Sequence, residues 1–269
     1  MKQRPSSLAE ASDAPTVLIT GWSVAGGQLA AWQAQLARIS GRPVQLFDFH
    51  PVGAPLGYYP PLGHLPSPYA QALRESWGPA PAHPRTLIGW STGTLIALEA
   101  THFWPSYVAK LVLVSGTACF CRKNGYACGT ATARVRWLTK QIKGAHASTA
   151  LHDFLERTLQ PYTWTPDQAS VYVKAARAMG SAALTMGLDY LQQADWRMWC
   201  PDIQQPVQLL HGGQDAIVPT AAAQWLQKAL PHARLTINAE QGHGWPLCDP
   251  AGLARRIANL QTDTGLAVG

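Results

Sequence analysis

A serine between two glycines stands where one short apolar run gives way to another. In TLIGWSTGTLIA, residues 86–97, Ser91 occupies the third position of the pattern G-x-S-x-G. Glycines on both sides permit a sharp turn from strand to helix that lifts the serine hydroxyl clear of the backbone, as a nucleophile requires. A serine in an ordinary tight turn also fits the pattern G-x-S-x-G. Whether Ser91 is a nucleophile or a turn residue therefore depends on residues elsewhere in the chain.

An acid and a base follow in the chain order Ser, Asp, His. Asp215 lies in HGGQDAIVP and His243 lies in EQGHGWP, and each segment directly follows an apolar run. A serine hydroxyl attacks an acyl carbon only when an imidazole accepts its proton and a carboxylate orients that imidazole. The order predicts a serine hydrolase with Ser91, His243 and Asp215 as catalytic residues, although an aspartate at this place also suits a helix N-cap or a turn.

The oxyanion of such a reaction requires two backbone N–H donors near the serine. Thr92, directly after the nucleophile, is one candidate because it opens the following helix. The other candidate is the Trp22 amide in TGWSV, directly after the first apolar run. We predict that these two N–H groups bind the oxyanion.

The other histidines and the cysteines carry weaker signals. His211 ends an apolar run and is predicted to be structural, whereas His50 and His64 lack a matching acid and are predicted to be surface residues. The three cysteines within residues 119–128 have the spacing C-x-C-x6-C, which is not a usual zinc pattern, so we interpret them as small buried side chains. No metal and no cofactor is predicted.

Six short apolar or β-branched runs alternate with helical patterns. Runs that are apolar on both faces and separated by helices are typical of a parallel sheet covered on each side. The predicted strands are residues 16–20, 44–49, 86–90, 109–116, 207–213 and 233–238. The predicted helices are residues 27–38, 92–103, 219–230 and 249–261, the last with Asp249 as N-cap and Pro250 at its first position.

The alternation stops between the fourth and fifth strands. Residues 117–200 show no convincing strand but contain amphipathic helical stretches at 132–143, 149–159, 165–179 and 181–194. A helical insertion at the carboxyl ends of parallel strands, where ligands bind, is typical of a lid. We predict a core of residues 1–116 and 201–269 with a helical lid of residues 117–200, and the Pro- and Gly-rich segment 51–68 receives no assignment.

Positive charge is concentrated in this insertion. It holds ten Lys or Arg against five Asp or Glu, which is +5 of the chain's formal net charge of +6. Such a surface attracts nucleic acid, an anionic surface or an acidic protein, but charge alone favours a solvated helical face. The polar N-terminus lacks the apolar core of a signal peptide, and no apolar run approaches the roughly 20 residues that span a bilayer, so a soluble cytoplasmic protein is predicted.

These motifs resemble those of the α/β hydrolases, and more narrowly those of the pimeloyl-[acyl-carrier protein] methyl ester esterases of biotin synthesis. The matching segments are TGWSV, IGWSTGTLIA, SGTACFCRKNGYACG, GLDYLQQADWR, HGGQDAIVP and GHGWPLCDPAGL, spread from about residue 16 to about residue 260. The resemblance implies an α/β-hydrolase fold and hydrolysis of a methyl ester on a pimeloyl chain carried by acyl carrier protein. It also implies that Phe154 lines the acyl channel in the lid.

An acidic carrier protein would account for the basic insertion. On a helix over residues 132–143, Arg136, Lys140 and Lys143 fall at i, i+4 and i+7 and form one stripe. Arg134 and Arg157 complete the predicted docking set. Neither nucleic acid nor a membrane is predicted as a partner.

Two other functions remain open at this point. One is a carboxylesterase or thioesterase for another small acyl substrate, because the same catalytic residues serve all of these reactions and pocket shape selects among them. The other is a non-catalytic hydrolase-fold protein that binds a partner through its basic insertion. The intact set of Ser, Asp and His argues against this second function.

Overall fold

Six parallel strands form one sheet in the computed structural model, which describes residues 15–52, 65–78 and 83–262. In chain order they are β1 (Thr16–Ile19), β2 (Val44–Phe47), β3 (Arg85–Trp90), β4 (Val108–Val114), β5 (Val207–Gly212) and β6 (Ala233–Asn238). Their order across the sheet is β2-β1-β3-β4-β5-β6, and every neighbouring pair is parallel. The predicted α/β fold is confirmed, and each strand begins within one residue of its predicted start.

Helices flank this sheet. In the described residues they are α1 (Ala30–Ser40), α2 (Pro68–Glu75), α3 (Thr92–Phe103), α4 (Thr132–Lys143), α5 (Ala147–Leu159), α6 (Pro166–Ala178), α7 (Gly180–Gln193), α8 (Thr220–Ala229), α9 (Trp245–Cys248) and α10 (Pro250–Thr262). Helices α3 and α4 have the predicted bounds. Helix α2 was not predicted, because its two turns directly follow the Pro- and Gly-rich segment, of which residues 53–64 lie outside the described part of the chain.

Burial on both faces explains the continuous apolar sequences of the central strands. Every residue of β3 and of β5 is buried, whereas the edge strand β6 is only partly covered. The helices are shorter or more polar than a membrane-spanning helix: none in the described ranges has both the length and the apolar character that spanning requires.

The ends of several helices are capped by the residues that flank them. Asp249 Oδ1 accepts the Gly252 N–H at 2.8 Å, so the predicted N-cap of α10 is confirmed. Helix α6 begins with a reciprocal capping box, in which Thr165 Oγ1 accepts the Gln168 N–H and Gln168 Oε1 accepts the Thr165 N–H. These bonds satisfy N–H groups that a helix start otherwise leaves unpaired.

Helices α4 to α7 lie between β4 and β5, where the insertion is predicted. Helix α4 contacts α5 and α7, and α5 contacts α6. Their buried side chains, such as Val135 and Leu151, belong to the same apolar cluster as Leu113 of β4. The insertion therefore shares one core with the sheet, and its role as a separate lid stays a prediction.

A buried carboxylate joins α3 to two other helices. Glu99 on α3 is 1% exposed, and its carboxylate accepts the N–H and the hydroxyl of Ser67, which precedes α2. It also accepts the hydroxyl of Tyr190 on α7 at 2.7 Å. Burial raises the pKa of Glu99 to about 7, because these donors offset only part of the lost hydration.

This raised pKa predicts that stability depends on pH through Glu99. A carboxyl with a pKa of 4.5 when unfolded and about 7 when folded binds its proton more tightly in the native state. Its stabilising contribution is complete below the unfolded pKa and is lost as the pH rises through the folded pKa, a change of about 3 kcal/mol. We therefore expect the free energy of unfolding, measured with urea, to fall between about pH 5 and about pH 8 in the wild type. The fall should be smaller in Glu99→Gln, which has no carboxyl to titrate at this position. Parallel pH profiles of the two proteins would contradict this expectation.

Candidate active site

Ser91 lies in a sharp turn between β3 and α3. Its backbone φ is 54°, a value that residues with a Cβ rarely adopt. The flanking glycines permit this turn. A Cβ on Gly89 would lie 2.5 Å from the carbonyl oxygen of Gly93, and a Cβ on Gly93 would lie 2.6 Å from that of Ile19. Close backbone packing therefore requires both glycines of G-x-S-x-G.

Ser91, His243 and Asp215 form one hydrogen-bonded chain, although they come from three loops. Ser91 Oγ lies 2.9 Å from His243 Nε2, and His243 Nδ1 lies 2.8 Å from Asp215 Oδ2. Asp215 follows β5 and His243 follows β6, so all three lie at the carboxyl edge of the sheet. The side chains of Asp215 and His243 are almost fully buried, which strengthens the interaction between them.

The ionised aspartate determines which nitrogen of His243 carries the proton. Asp215 Oδ1 accepts the N–H groups of Ile217 and Val218 at 2.9 and 2.8 Å. Burial alone would raise the pKa of the Asp215 carboxyl, but His243 and the backbone donors hold it below its usual value. A carboxylate accepts the Nδ1–H of His243, and this tautomer leaves Nε2 free to accept the proton of Ser91.

His211 packs beside this chain as a structural residue. Its ring is buried, and its Nε2 donates to the carbonyl oxygen of Val218 at 2.8 Å. The same nitrogen lies 3.4 Å from Asp215 Oδ2. Burial lowers the pKa of His211, so the ring is neutral and this contact is not an ion pair.

The two residues predicted to bind the oxyanion lie at the same cavity as Ser91. Trp22 and Thr92 line it, and neither amide donates a hydrogen bond to another residue in the part of the chain that the structure describes. The Trp22 side chain is fixed separately: its Nε1 donates to the Leu184 carbonyl at 2.8 Å, and its ring packs edge-on against Phe154 at a centroid distance of 4.8 Å. This arrangement suits the predicted oxyanion donors.

The cavity has a volume of about 350 Å³, within the range of small-molecule sites. Phe154 lines it, as the resemblance implies. Its other apolar walls come mainly from the inserted helices and include Phe120, Val135, Leu138, Leu188, Leu191 and Ile217. Such walls suit an apolar group bound beside Ser91.

The predicted docking residues fall into two groups. Arg134 and Arg157 line the cavity, whereas the exposed residues Arg136, Lys140 and Lys143 of α4 do not. The Arg157 guanidinium donates at 2.7 Å to a backbone carbonyl in the loop after β5, so it is tied to the core. Contact of these five residues with a carrier protein stays a prediction.

Two residues of this region were missed by the sequence reasoning. Arg122 lines the cavity together with Arg134, and Trp137 is 52% exposed beside Arg136. Arg122 belongs to the run of basic residues between positions 120 and 143, which was a usable signal. The exposure of Trp137 had no sequence signal, because a large aromatic side chain on an amphipathic helix is normally counted as core.

The cysteines separate by burial. Cys119 and Cys121 are buried, as predicted, but Cys128 is partly exposed and lines the cavity. Burial raises the pKa of the Cys119 thiol to about 12, which keeps it protonated. Among the described residues no cluster of His, Cys, Asp and Glu side chains forms a metal site.

His50 is not a surface residue, and the prediction for it is wrong. Its ring is buried and stacks on Phe49 at a centroid distance of 4.2 Å. Its Nδ1 lies 2.7 Å from Oδ1 of Asp48, the acid that the sequence reasoning did not find. Residues two apart in an extended chain share a face, and this spacing was a usable signal. His64 lies outside the described residues.

Comparison with known proteins gives a consistent set of similarities. The model of a family described as serine aminopeptidase, S33 (Hydrolase_4), matches residues 61–245. The pimeloyl-[acyl-carrier protein] methyl ester esterase of Aromatoleum aromaticum is 33% identical over 215 residues, which cover 74% of this chain and 84% of the relative. The protein of the same description from Chromobacterium violaceum is 30% identical, over 91% of this chain and 94% of the relative.

Solved structures show the same fold at lower identity. An esterase from Exiguobacterium antarcticum superposes with a TM-score of 0.79 at 21% identity and covers 93% of this chain and 92% of its own. A bromoperoxidase from Bacillus anthracis also has a TM-score of 0.79, at 16% identity and the same coverage. At these identities the superpositions describe the fold alone.

Proposed function

Because the chain belongs to the α/β-hydrolase family that includes the pimeloyl-[acyl-carrier protein] methyl ester esterases, we propose that it hydrolyses the methyl ester of pimeloyl-acyl carrier protein in biotin synthesis. The products are methanol and pimeloyl-acyl carrier protein. The chain is an ester hydrolase, so the alternative of a non-catalytic binding protein is wrong.

One observation carries the proposed mechanism, the hydrogen-bonded chain from Asp215 through His243 to Ser91 beside an apolar cavity. Ser91 Oγ attacks the ester carbonyl carbon while His243 Nε2 accepts the hydroxyl proton. Asp215 stabilises the resulting imidazolium. The N–H groups of Trp22 and Thr92 bind the oxyanion of the tetrahedral intermediate.

Collapse of this intermediate completes the first half of the reaction. The bond from the carbonyl carbon to the methoxy oxygen breaks, His243 returns the proton to that oxygen, and methanol leaves an acyl group on Ser91. Water then gives a proton to His243 and attacks the acyl carbon. When the second tetrahedral intermediate collapses, Ser91 recovers its proton from His243 and the carboxylic acid departs, which then loses its own proton to water.

The charge of the insertion supports a carrier-bound substrate. Arg122 and Arg134 line the cavity, and Arg136, Lys140 and Lys143 extend positive charge along the exposed surface of α4. A short free ester needs none of these cations, whereas an acidic carrier is attracted and oriented by them.

Rescue of growth without biotin tests the proposed function directly. The gene should restore growth of a bacterium that lacks its own pimeloyl-ester esterase, and the Ser91→Ala form should not. In vitro, mass spectrometry should show loss of the methyl group from methyl pimeloyl-acyl carrier protein. Hydrolysis of short esters without either result would favour a carboxylesterase or thioesterase for another acyl substrate.

Charge reversal on α4 should reduce turnover of the carrier-bound substrate selectively. We expect Arg136→Glu/Lys140→Glu to lower kcat/KM for methyl pimeloyl-acyl carrier protein by about 10-fold or more at low salt, because opposite charges steer and hold the carrier. Turnover of p-nitrophenyl acetate should stay within about 2-fold of the wild type, since neither side chain lines the cavity.

The control for this variant carries the same change of charge on another helix. Arg255→Glu/Arg256→Glu alters two exposed residues of α10 and should leave both substrates unaffected. Equal losses in the two double variants would show that net charge matters and that α4 is not the docking surface. No loss in either variant would exclude the stripe on α4 as a carrier contact.

A further inference from the structure

The loop after β1, residues 20–26, is held by a second pair of aspartate and histidine. His50 Nε2 accepts the Ser23 N–H at 3.1 Å. His50 Nδ1 lies 2.7 Å from Asp48 Oδ1, and Asp48 Oδ2 accepts the Gly26 N–H at 2.8 Å. Two side chains that follow β2 thus bind the loop at two of its backbone N–H groups.

The protonation of this pair follows from its partners. Ser23 offers an N–H, so His50 Nε2 must be an acceptor and His50 Nδ1 must carry the proton that Asp48 accepts. Burial alone would raise the pKa of Asp48, but His50 and the Gly26 N–H hold it below its usual value. Asp48 is therefore ionised and keeps the imidazole of His50 in the tautomer that accepts from Ser23.

The Ser23 N–H directly affects the proposed oxyanion donor. Ser23 and Trp22 contribute the N–H groups of two successive peptide units that share the Trp22 Cα. Fixing the first unit therefore leaves the second only the φ and ψ rotations at that Cα, and this limits how far the Trp22 N–H can turn. Ser23 has a φ of 62°, a conformation that a residue with a Cβ keeps only when its surroundings impose it. The hydrogen bond that the Ser23 N–H donates to His50 opposes relaxation of this backbone.

The side chains of the loop are bound from the other direction. Ser23 Oγ lies 2.9 Å from the hydroxyl of Tyr172 on α6, and the Trp22 indole donates to Leu184 on α7. The inserted helices thus hold the side chains, while Asp48 and His50 hold the backbone. Loss of the backbone bond should leave the substrate walls in place and disturb the N–H direction alone.

We propose that His50 is a positioning residue, which holds the Ser23 amide so that the Trp22 N–H points at the oxyanion, with Asp48 fixing the tautomer of His50. This inference rests on the proposed ester hydrolysis at Ser91. It assigns to His50 no contact with the substrate.

The test compares His50→Phe with His50→Gln. Phenylalanine keeps the stacking on Phe49 but cannot accept from Ser23, whereas the glutamine carbonyl reaches about as far as Nε2 and can accept. We expect His50→Phe to lower kcat for p-nitrophenyl acetate by about 10-fold to 100-fold with KM changed less than about 2-fold, since one oxyanion donor is worth about 100-fold or more. His50→Gln should recover most of this loss.

Inhibition by a boronic acid is a second test of the position of the oxyanion donors. Its tetrahedral adduct with Ser91 places an oxygen where the oxyanion forms, so its inhibition constant should rise in His50→Phe by about the factor by which kcat falls. Exchange of the Ser23 amide hydrogen, followed by NMR, should be faster in His50→Phe than in the wild type and does not depend on activity.

Val44→Ala is the matched control, because Val44 is a buried residue at the opposite end of β2 and has no bond to the loop. It should lose stability without loss of kcat. Unchanged kcat, inhibition constant and amide exchange in folded His50→Phe would overturn the proposal, as would His50→Gln as impaired as His50→Phe. If His50→Phe does not fold, His50→Asn, which is too short to reach Ser23, carries the same expectations.

The outcome for the substrate is separate from the outcome for His50. A wild type that hydrolyses p-nitrophenyl acetate but not methyl pimeloyl-acyl carrier protein would overturn the proposed substrate alone. An active wild type whose His50 variants all match it would overturn the positioning role alone.

Discussion

Ser91→Ala is expected to lower kcat for short p-nitrophenyl esters by about 10⁴-fold or more. The Oγ that it removes is the atom placed 2.9 Å from His243 Nε2, and no other described hydroxyl is hydrogen-bonded to that nitrogen. Alanine and serine both carry a Cβ, so the backbone strain at a φ of 54° is unchanged. Thermal unfolding should therefore show a folded protein with nearly wild-type stability.

Ser115→Ala is a close control for this variant. Ser115 follows β4, has a φ of 51°, and its buried hydroxyl has no hydrogen-bond partner among the described residues. It matches Ser91 in backbone strain but does not line the cavity, so its replacement should preserve activity. Substantial esterase activity in purified Ser91→Ala would exclude Ser91 as the nucleophile.

Asp215→Asn is expected to lower kcat by about 10³-fold to 10⁴-fold. The backbone N–H groups of Ile217 and Val218 bind Asp215 Oδ1, and in the variant they would select the amide oxygen for this position. The amide NH₂ would then face His243 Nδ1 and donate to it. This reverses the tautomer, so Nε2 carries a hydrogen and cannot accept the proton of Ser91.

The measurement is kcat for p-nitrophenyl acetate across pH, together with the rate at which a fluorophosphonate labels Ser91. Both rates should fall together, because the variant leaves the nucleophile in place without a base. Asp195→Asn is the control: this aspartate pairs with Arg197 outside the cavity, and its loss should not change either rate. More than about a tenth of wild-type kcat in Asp215→Asn would contradict the assigned role of the carboxylate.

The arrangement of the elements could be predicted because local pattern carries it. Strand β3 is buried on both faces and contains the apolar run of residues 87–90, and the change to helical periodicity marks the start of α3 at Thr92. The meeting of Ser91, Asp215 and His243 followed from a topological rule, since residues that end parallel strands share one edge of the sheet. No side-chain contact had to be known for either inference.

Individual partnerships were harder to predict. His50 was assigned to the surface, yet its ring is buried between Asp48 and the amide of Ser23, which is 27 positions earlier in the chain. The hydrogen bond from the Arg157 guanidinium to a carbonyl 59 positions away was not predicted either, while its contact with a carrier protein stays a prediction. Burial of a polar side chain depends on such distant partners, because without them the loss of hydration would not be offset.

The sequence by itself determined the class of fold, the positions of the six strands and of most helices, the place of the insertion, and the residue types at the carboxyl edge of the sheet. Each of these depends on short-range periodicity or on the common direction of parallel strands. Only the tertiary structure decided that the insertion shares the core of the sheet, that His50 holds the loop of Trp22, and that Trp137 is exposed. These features depend on contacts between elements far apart in the chain, which no local pattern specifies.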